Sequence, residues 1–227
     1  MGERIIADIR LFRSEGRTES GHFDMVSLGD KRLNAVVKRI VMKLRSHGFS
    51  MGDFDHLYIN FTRCELSVPM ELSQEVDRYH PWFRHCHVRV AREVYERLGT
   101  VVSHGYIIAI IGDVLTAFFA SADFDEARIR DCIQEAVTSG EGMLMPFKEK
   151  ATAKRRAVIY LRFLDSCRYA PLLRVYDGEG NLLLERDLPQ MVTLDAIGEI
   201  QVALKKVTVK PRKNALTAGK KPLVFEY

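Results

Sequence analysis

Asp30–Gly48 reads DKRLNAVVKRIVMKLRSHG. Leu33, Val36, Val37, Ile40, Val41 and Leu44 recur at helical spacing, which sets them on one stripe of an α-helix. Asp30 stands at the N-cap, and Gly48 sits just past the end, where a left-handed residue closes the last turn. Lys31, Arg32, Lys38, Arg39, Lys43 and Arg45 fall on the outer side, and those in the last turn complement the helix dipole. Strand patterns bracket this helix. Arg4–Phe12 (RIIADIRLF) alternates Ala7, Ile9 and Leu11 against Asp8 and Arg10. Phe54–Thr62 (FDHLYINFT) alternates Leu57, Ile59 and Phe61 against Tyr58 and Asn60. Strand, helix and strand in succession predict a sheet with a helix lying on it. The polar stretch Ser14–His22 between them is a loop.

Further along, Glu65–Met70 is a connector, and Glu71–Arg78 reads as a short helix capped by Ser73 with Glu75 and Asp77 early in it. Tyr79–Arg92 (YHPWFRHCHVRVAR) then gathers the single Trp, three of the seven His and one of the four Cys. Pro81 ends any preceding helix. From Arg84 to Val90 a strand would send His85 and His87 one way and Cys86, Val88 and Val90 the other. Two readings follow. In one, His85 and His87 share a metal ion, with His80 folding back as a third ligand. In the other, the imidazoles lie on a solvated face while the thiol and valines go inward. The regular pairing of zinc ligands is missing, which favours the second. Trp82 and Arg84, two apart, are residue types enriched at interface hot spots, and they are the candidate partner-binding residues. The plainer role has Trp82 capping the core edge and Arg84 in a salt bridge.

Ala91–Leu98 predicts a helical turn or two ending at Gly99. Val101–Ala120 is the most apolar stretch and predicts a buried helix capped by Ser103, lined by Ile107, Ile108, Ile111, Leu115 and Phe118. Phe124–Val137 predicts an amphipathic helix, acidic at its start. The boundary falls within Gly140–Thr152, dividing a mixed α/β half (1–150) from a β-rich part (151–227) expected to pack with it as one globular unit. From Lys154 the period becomes two: KRRAVIYLRFLD sets Val158, Tyr160 and Arg162 opposite Ile159, Leu161 and Phe163. Pro171–Tyr176 and Asn181–Asp187 flank Asp177-Gly-Glu-Gly180, a hairpin pattern. Asp195–Leu204 fits a short helix or a strand, and Lys206–Arg212 and Leu223–Tyr227 complete the strands. The fold class is α+β: a mixed strand–helix N-terminal half with buried helices, followed by a largely antiparallel sheet.

With 227 residues, 47% of them hydrophobic and 28% charged, the chain can bury a full core. It has no uninterrupted run of about 18 apolar residues, so no transmembrane helix is expected. MGERIIADIR lacks a signal-peptide core, and Ile6 stands where a myristoylation motif needs Ser or Thr. The widely spaced Cys64, Cys86, Cys132 and Cys167 suit free thiols in a reducing cytoplasm. Residues 1–150 carry a net charge of −2 and residues 151–227 a net +6. A basic C-terminal third would suit nucleic acid, but its charges mostly alternate with apolar residues, as on a sheet with one wet face. Phosphate-loop, dinucleotide, nucleophile-elbow and H-E-x-x-H patterns do not occur in the sequence. A thiol at Cys86 between inward valines would be inert. No catalytic, cofactor or metal residue is therefore assigned.

DHLYINFT at Asp55–Thr62, WFR at Trp82–Arg84, KPRK at Lys210–Lys213 and KPLVFEY at Lys221–Tyr227 together resemble, in order and spacing, immunity proteins of bacterial polymorphic toxin systems, the group named immunity protein family 39. The resemblance implies an α+β cytoplasmic protein that binds and neutralises a cognate toxin, with no chemistry or cofactor of its own. Trp82 and Arg84 are the positions it carries over. The alternatives are a nucleic-acid-binding module using the basic C-terminal sheet and a metal-dependent enzyme built on His80, His85 and His87.

Overall fold

Asp30 caps the first helix as the sequence predicts. Its Oδ1 accepts the Leu33 amide at 3.0 Å, and α1 (Lys31–Ser46) closes on Gly48 with φ of +78°. The structure, a computed structural model, describes residues 3–214 and 217–227. They divide into two units between Gly140 and Glu141. A division at residue 150, as read from the sequence, would cut through the strand Met145–Ala151.

The first unit is built on a five-stranded sheet. Three parallel strands form its middle: β1 (Asp8–Ser14), β3 (His56–Thr62) and β5 (Phe83–Arg89). The short β2 (Val26–Ser27) and β4 (Met70–Leu72) add antiparallel edges, giving the order β2-β1-β3-β5-β4. The apolar run on Leu57, Ile59, Phe61, Cys86 and Val88 forms one wholly buried face, as a parallel sheet covered by helices requires. Arg4–Ala7, expected to begin the first strand, instead tie into the loop after α1: the Arg4 amide donates to Gly52 O and the Ile6 amide to Phe49 O. α1 packs on β1 and against α4 (Glu126–Ser139), which Asp125 caps through the Arg128 amide at 2.9 Å. Because α1 has neighbours on two sides, its buried arc is wide. Arg39, placed on the outer face by spacing alone, is only 4% exposed.

The expected helix over Glu71–Arg78 does not form. Met70–Leu72 pairs with β5 as an edge strand, and the chain then crosses an irregular loop. Ser73 still meets a nearby amide, accepting from Glu75 N at 3.1 Å, but in a turn. After the one-turn α2 (Arg92–Tyr95), α3 (His104–Phe119) buries Ile107, Ile111, Val114 and Leu115, while Ile108 and Phe118 are only partly covered. Ser103 Oγ donates back to Thr100 O and makes no side-chain cap bond to α3. With the short helical turn before it, Val101–Phe119 is long and apolar enough to cross a membrane by length and composition, and 33% of it is buried. Asp113 interrupts the run without bringing down its average.

The second unit holds two antiparallel sheets. β6 (Met145–Ala151), β7 (Arg155–Phe163), β8 (Tyr169–Asp177) and β9 (Leu182–Asp187) form one in sequence order. β10 (Ile197–Val202), β11 (Lys206–Pro211) and β12 (Leu223–Glu226) form the other, so the ambiguous segment after Asp195 is a strand. The β8–β9 turn follows its residues: Asp177 Oδ1 accepts the amides of Glu179 and Asn181, and Gly180 has φ of +91°. Ile159, Leu173, Val175, Ile200, Val207 and Val209 join the two sheets in one core. Lys148 Nζ crosses to the carbonyls of Ile197 (2.9 Å) and Gly198 (2.6 Å).

Gly198 is required by a close approach. A Cβ there would lie 2.8 Å from Arg212 N, Lys210 O and Pro211 C, all backbone. Gly198→Ala is expected to destabilise the protein by about 1–3 kcal/mol through forced backbone movement. A urea titration measures this, and an unchanged midpoint would mean that the strands are not so tightly apposed.

Candidate functional site

The second face of the five-stranded sheet is polar and aromatic, and strand register fixes its rows. Asp8, His56 and Phe83 lie side by side, followed by Arg10, Tyr58 and His85, then Phe12, Asn60 and His87. Tyr58 is the hub. Its ring lies 5.0 Å from both Phe83 and His85 and 5.5 Å from Phe12, with the Arg10 guanidinium 5.5 Å above it.

In the third row, Asn60 is wholly buried. Its Nδ2 lies 2.9 Å from Ser14 Oγ and 3.2 Å from His87 Nδ1, tying all three parallel strands together below the surface. Phe23, from the loop after β1, packs against the His87 ring with centroids 4.1 Å apart and planes tilted by 33°, and Arg17 lies 4.0 Å above Phe23. With this lid His87 is buried, and His85 is itself only partly exposed, so the expected solvated face is not solvated. The alternation itself is as predicted, with Cys86, Val88 and Val90 buried on the opposite side. Between the lid and the loop after β4 lies a cavity of about 410 Å³, floored by His85 and His87 and walled by Phe23, Met25, Glu71 and Glu75.

Burial sets the chemistry of these groups. Desolvation, helped by the neighbouring His85 and Arg17, pushes His87 down to about 4, and desolvation also lowers His85. Burial pushes the Cys86 thiol up to about 12. Cys86 and the imidazoles also project from opposite faces of one strand, so they form no nucleophile–base pair.

His80 does not join them. It stacks on Phe83 at 4.7 Å with the rings 5° from parallel, two rows from His87. Four residues of strand span roughly 13 Å, far beyond shared metal ligation. Among the described residues, no group of three or more His, Cys, Asp or Glu is placed to hold a metal ion.

Folding works against charge on His87. The imidazole binds its proton less tightly folded than unfolded, so its stabilising contribution is complete above pH 6.5 and is lost as the pH falls to about 4. The loss is about 3 kcal/mol. His87→Gln is expected to flatten stability over that window relative to the parent chain. Urea midpoints measured from pH 7 to pH 4 check this, and parallel curves for the two proteins would contradict it.

Trp82 and Arg84 bracket the loop that follows β4. Arg84 lies 3.8 Å over the Phe54 ring, and its Nη1 donates to Ser73 O at 2.8 Å, anchoring the start of the loop. No salt bridge to Arg84 occurs among the described residues. Trp82 is half-buried at the loop's end: its carbonyl accepts the Asp55 amide at 3.1 Å, and the Arg4 guanidinium lies 5.3 Å from its ring. Inside the loop, Asp77 Oδ1 accepts the amides of Tyr79 (2.7 Å) and His80 (2.8 Å). The loop presents Val76 and Tyr79 outward, Tyr79 at 79% exposure. Sequence reading passed over Tyr79, Asn60 and Phe23. An Asn inside the apolar run LYINFT was a visible signal for the second, whereas nothing local marks Phe23 as a lid.

In the second unit, Arg156, Arg162, Arg174, Lys210 and Arg212 each pair with a carboxylate. Part of the basic charge there is answered by neighbouring carboxylates. Comparison with protein-family models, curated proteins and solved structures gives no match for this chain.

Proposed function

We propose that the chain is a non-enzymatic binding protein that captures a protein partner through the Ser73–Phe83 loop, and that the partner is a bacterial toxin neutralised in the cytoplasm. The observation that carries this reading is Tyr79, a large aromatic side chain held out in solvent by a loop that is tied at both ends. Rigid aromatic anchors bind at low cost in conformational entropy. In this reading Trp82 and Tyr79 touch the partner, while Arg84 is a positioning residue that holds the start of the loop through Ser73. The free thiols of Cys64, Cys86 and Cys132 suit a reducing compartment. A thiol near 12 and an imidazole near 4 are poorly suited to covalent or acid–base chemistry at neutral pH. The toxin as partner rests on the resemblance of the short blocks around Asp55–Thr62, Trp82–Arg84 and the C-terminal strands.

Co-expression with candidate toxins from neighbouring open reading frames tests the proposal. Growth is expected to be restored by the parent chain and lost again with the Tyr79→Ala, Trp82→Ala double variant. Failure of the parent chain to rescue growth would remove the toxin from the account.

A further inference from the structure

The second unit contains a groove of about 370 Å³ where the end of β11 and the segment before β12 meet the turn after β9. Its wall is apolar, formed by Leu188, Met191, Ile197, Val209 and Leu223, and among the described residues no acidic side chain lines it. Lys210, Lys220 and Lys221 stand around it. Lys210 is shared with Glu199 at 3.3 Å. Lys220 and Lys221 form no ion pair among the described residues, unlike the five basic side chains paired across the sheets. An apolar trough with uncompensated cations at one side suits a ligand with an apolar body and an anionic head. The volume lies near the lower end of the roughly 300–1,000 Å³ typical of small-molecule sites. One alkyl chain fits that space better than the two of a bilayer lipid.

We infer that this groove binds a single-chain carboxylate amphiphile, with its chain against Met191, Ile197 and Leu223 and its head on Lys220 and Lys221. The site is independent of the partner-binding loop in the other unit.

Titration calorimetry with dodecanoate tests the inference, using dodecanol and dodecyltrimethylammonium as neutral and cationic comparisons. Saturable one-to-one binding of dodecanoate is expected. Binding should weaken by about tenfold or more for dodecanol and for the Lys220→Glu, Lys221→Glu double variant, as loss of a charge-assisted contact predicts. Both lysines are exposed, so circular dichroism should show the variant folded. Met191→Trp, which fills the trough, should abolish binding while leaving the lysines in place. No saturable binding of dodecanoate would overturn the inference, as would equal affinity for all three amphiphiles or unchanged affinity in both variants.

Discussion

Phe61→Ala is expected to lower the unfolding free energy by about 3–5 kcal/mol, the usual cost of emptying a fully buried aromatic site. Phe61 is wholly buried in β3, the middle strand of the parallel trio, with Val88 beside it in register on β5. Neither side of β3 is open: Tyr58, Asn60 and Thr62 on its polar face are buried as well. A cavity made there cannot be filled by solvent or by collapse of a surface loop. Domains are typically stable by about 5–15 kcal/mol, so this one substitution removes a large share. Phe83→Ala, at a half-buried ring on the same sheet, should cost less. Denaturant titration of both variants checks the order. A loss below about 1 kcal/mol for Phe61→Ala would mean that the helices do not close over that face.

Tyr79→Ala should have the opposite profile. With most of its side chain in water, its removal should leave stability within about 0.5 kcal/mol of the parent chain. If Tyr79 is the anchor proposed above, its loss should weaken binding of the proposed partner by about 2 kcal/mol or more, near thirtyfold in dissociation constant. Calorimetric or surface-based affinity measurements on the folded variant separate the two effects. Unchanged affinity would make the exposed ring incidental and move the interface elsewhere.

Local chemistry accounts for what was legible beforehand. The Asp30 cap, the apolar stripe of α1, the Asp177 turn and the two-residue period of β7 each depend on neighbours within a few residues, and each appears as the sequence implies. Where distant chain decides, the sequence could not show it. The strand alternation around Cys86 was readable, but which side is wet depends on Phe23, some sixty positions earlier in the chain. Ser73 illustrates a second limit. A serine oxygen meeting a nearby amide caps a helix or closes a turn by the same bond, and pairing of Met70–Leu72 with β5 settles the choice. Arg39 shows a third, since helical spacing fixes its angle on α1 while the packing of distant chain decides that the angle is covered.

The preformed contact loop is probed most directly by hydrogen exchange. Amide exchange across Ser73–Phe83 would be followed for the chain alone and in complex with the proposed partner. The account predicts that Tyr79 and His80, already bonded to Asp77, exchange slowly in the free chain and that the whole loop slows further on binding. Fast exchange of both amides in the free chain, or slowing in the complex confined to residues beyond Gly140, would contradict it.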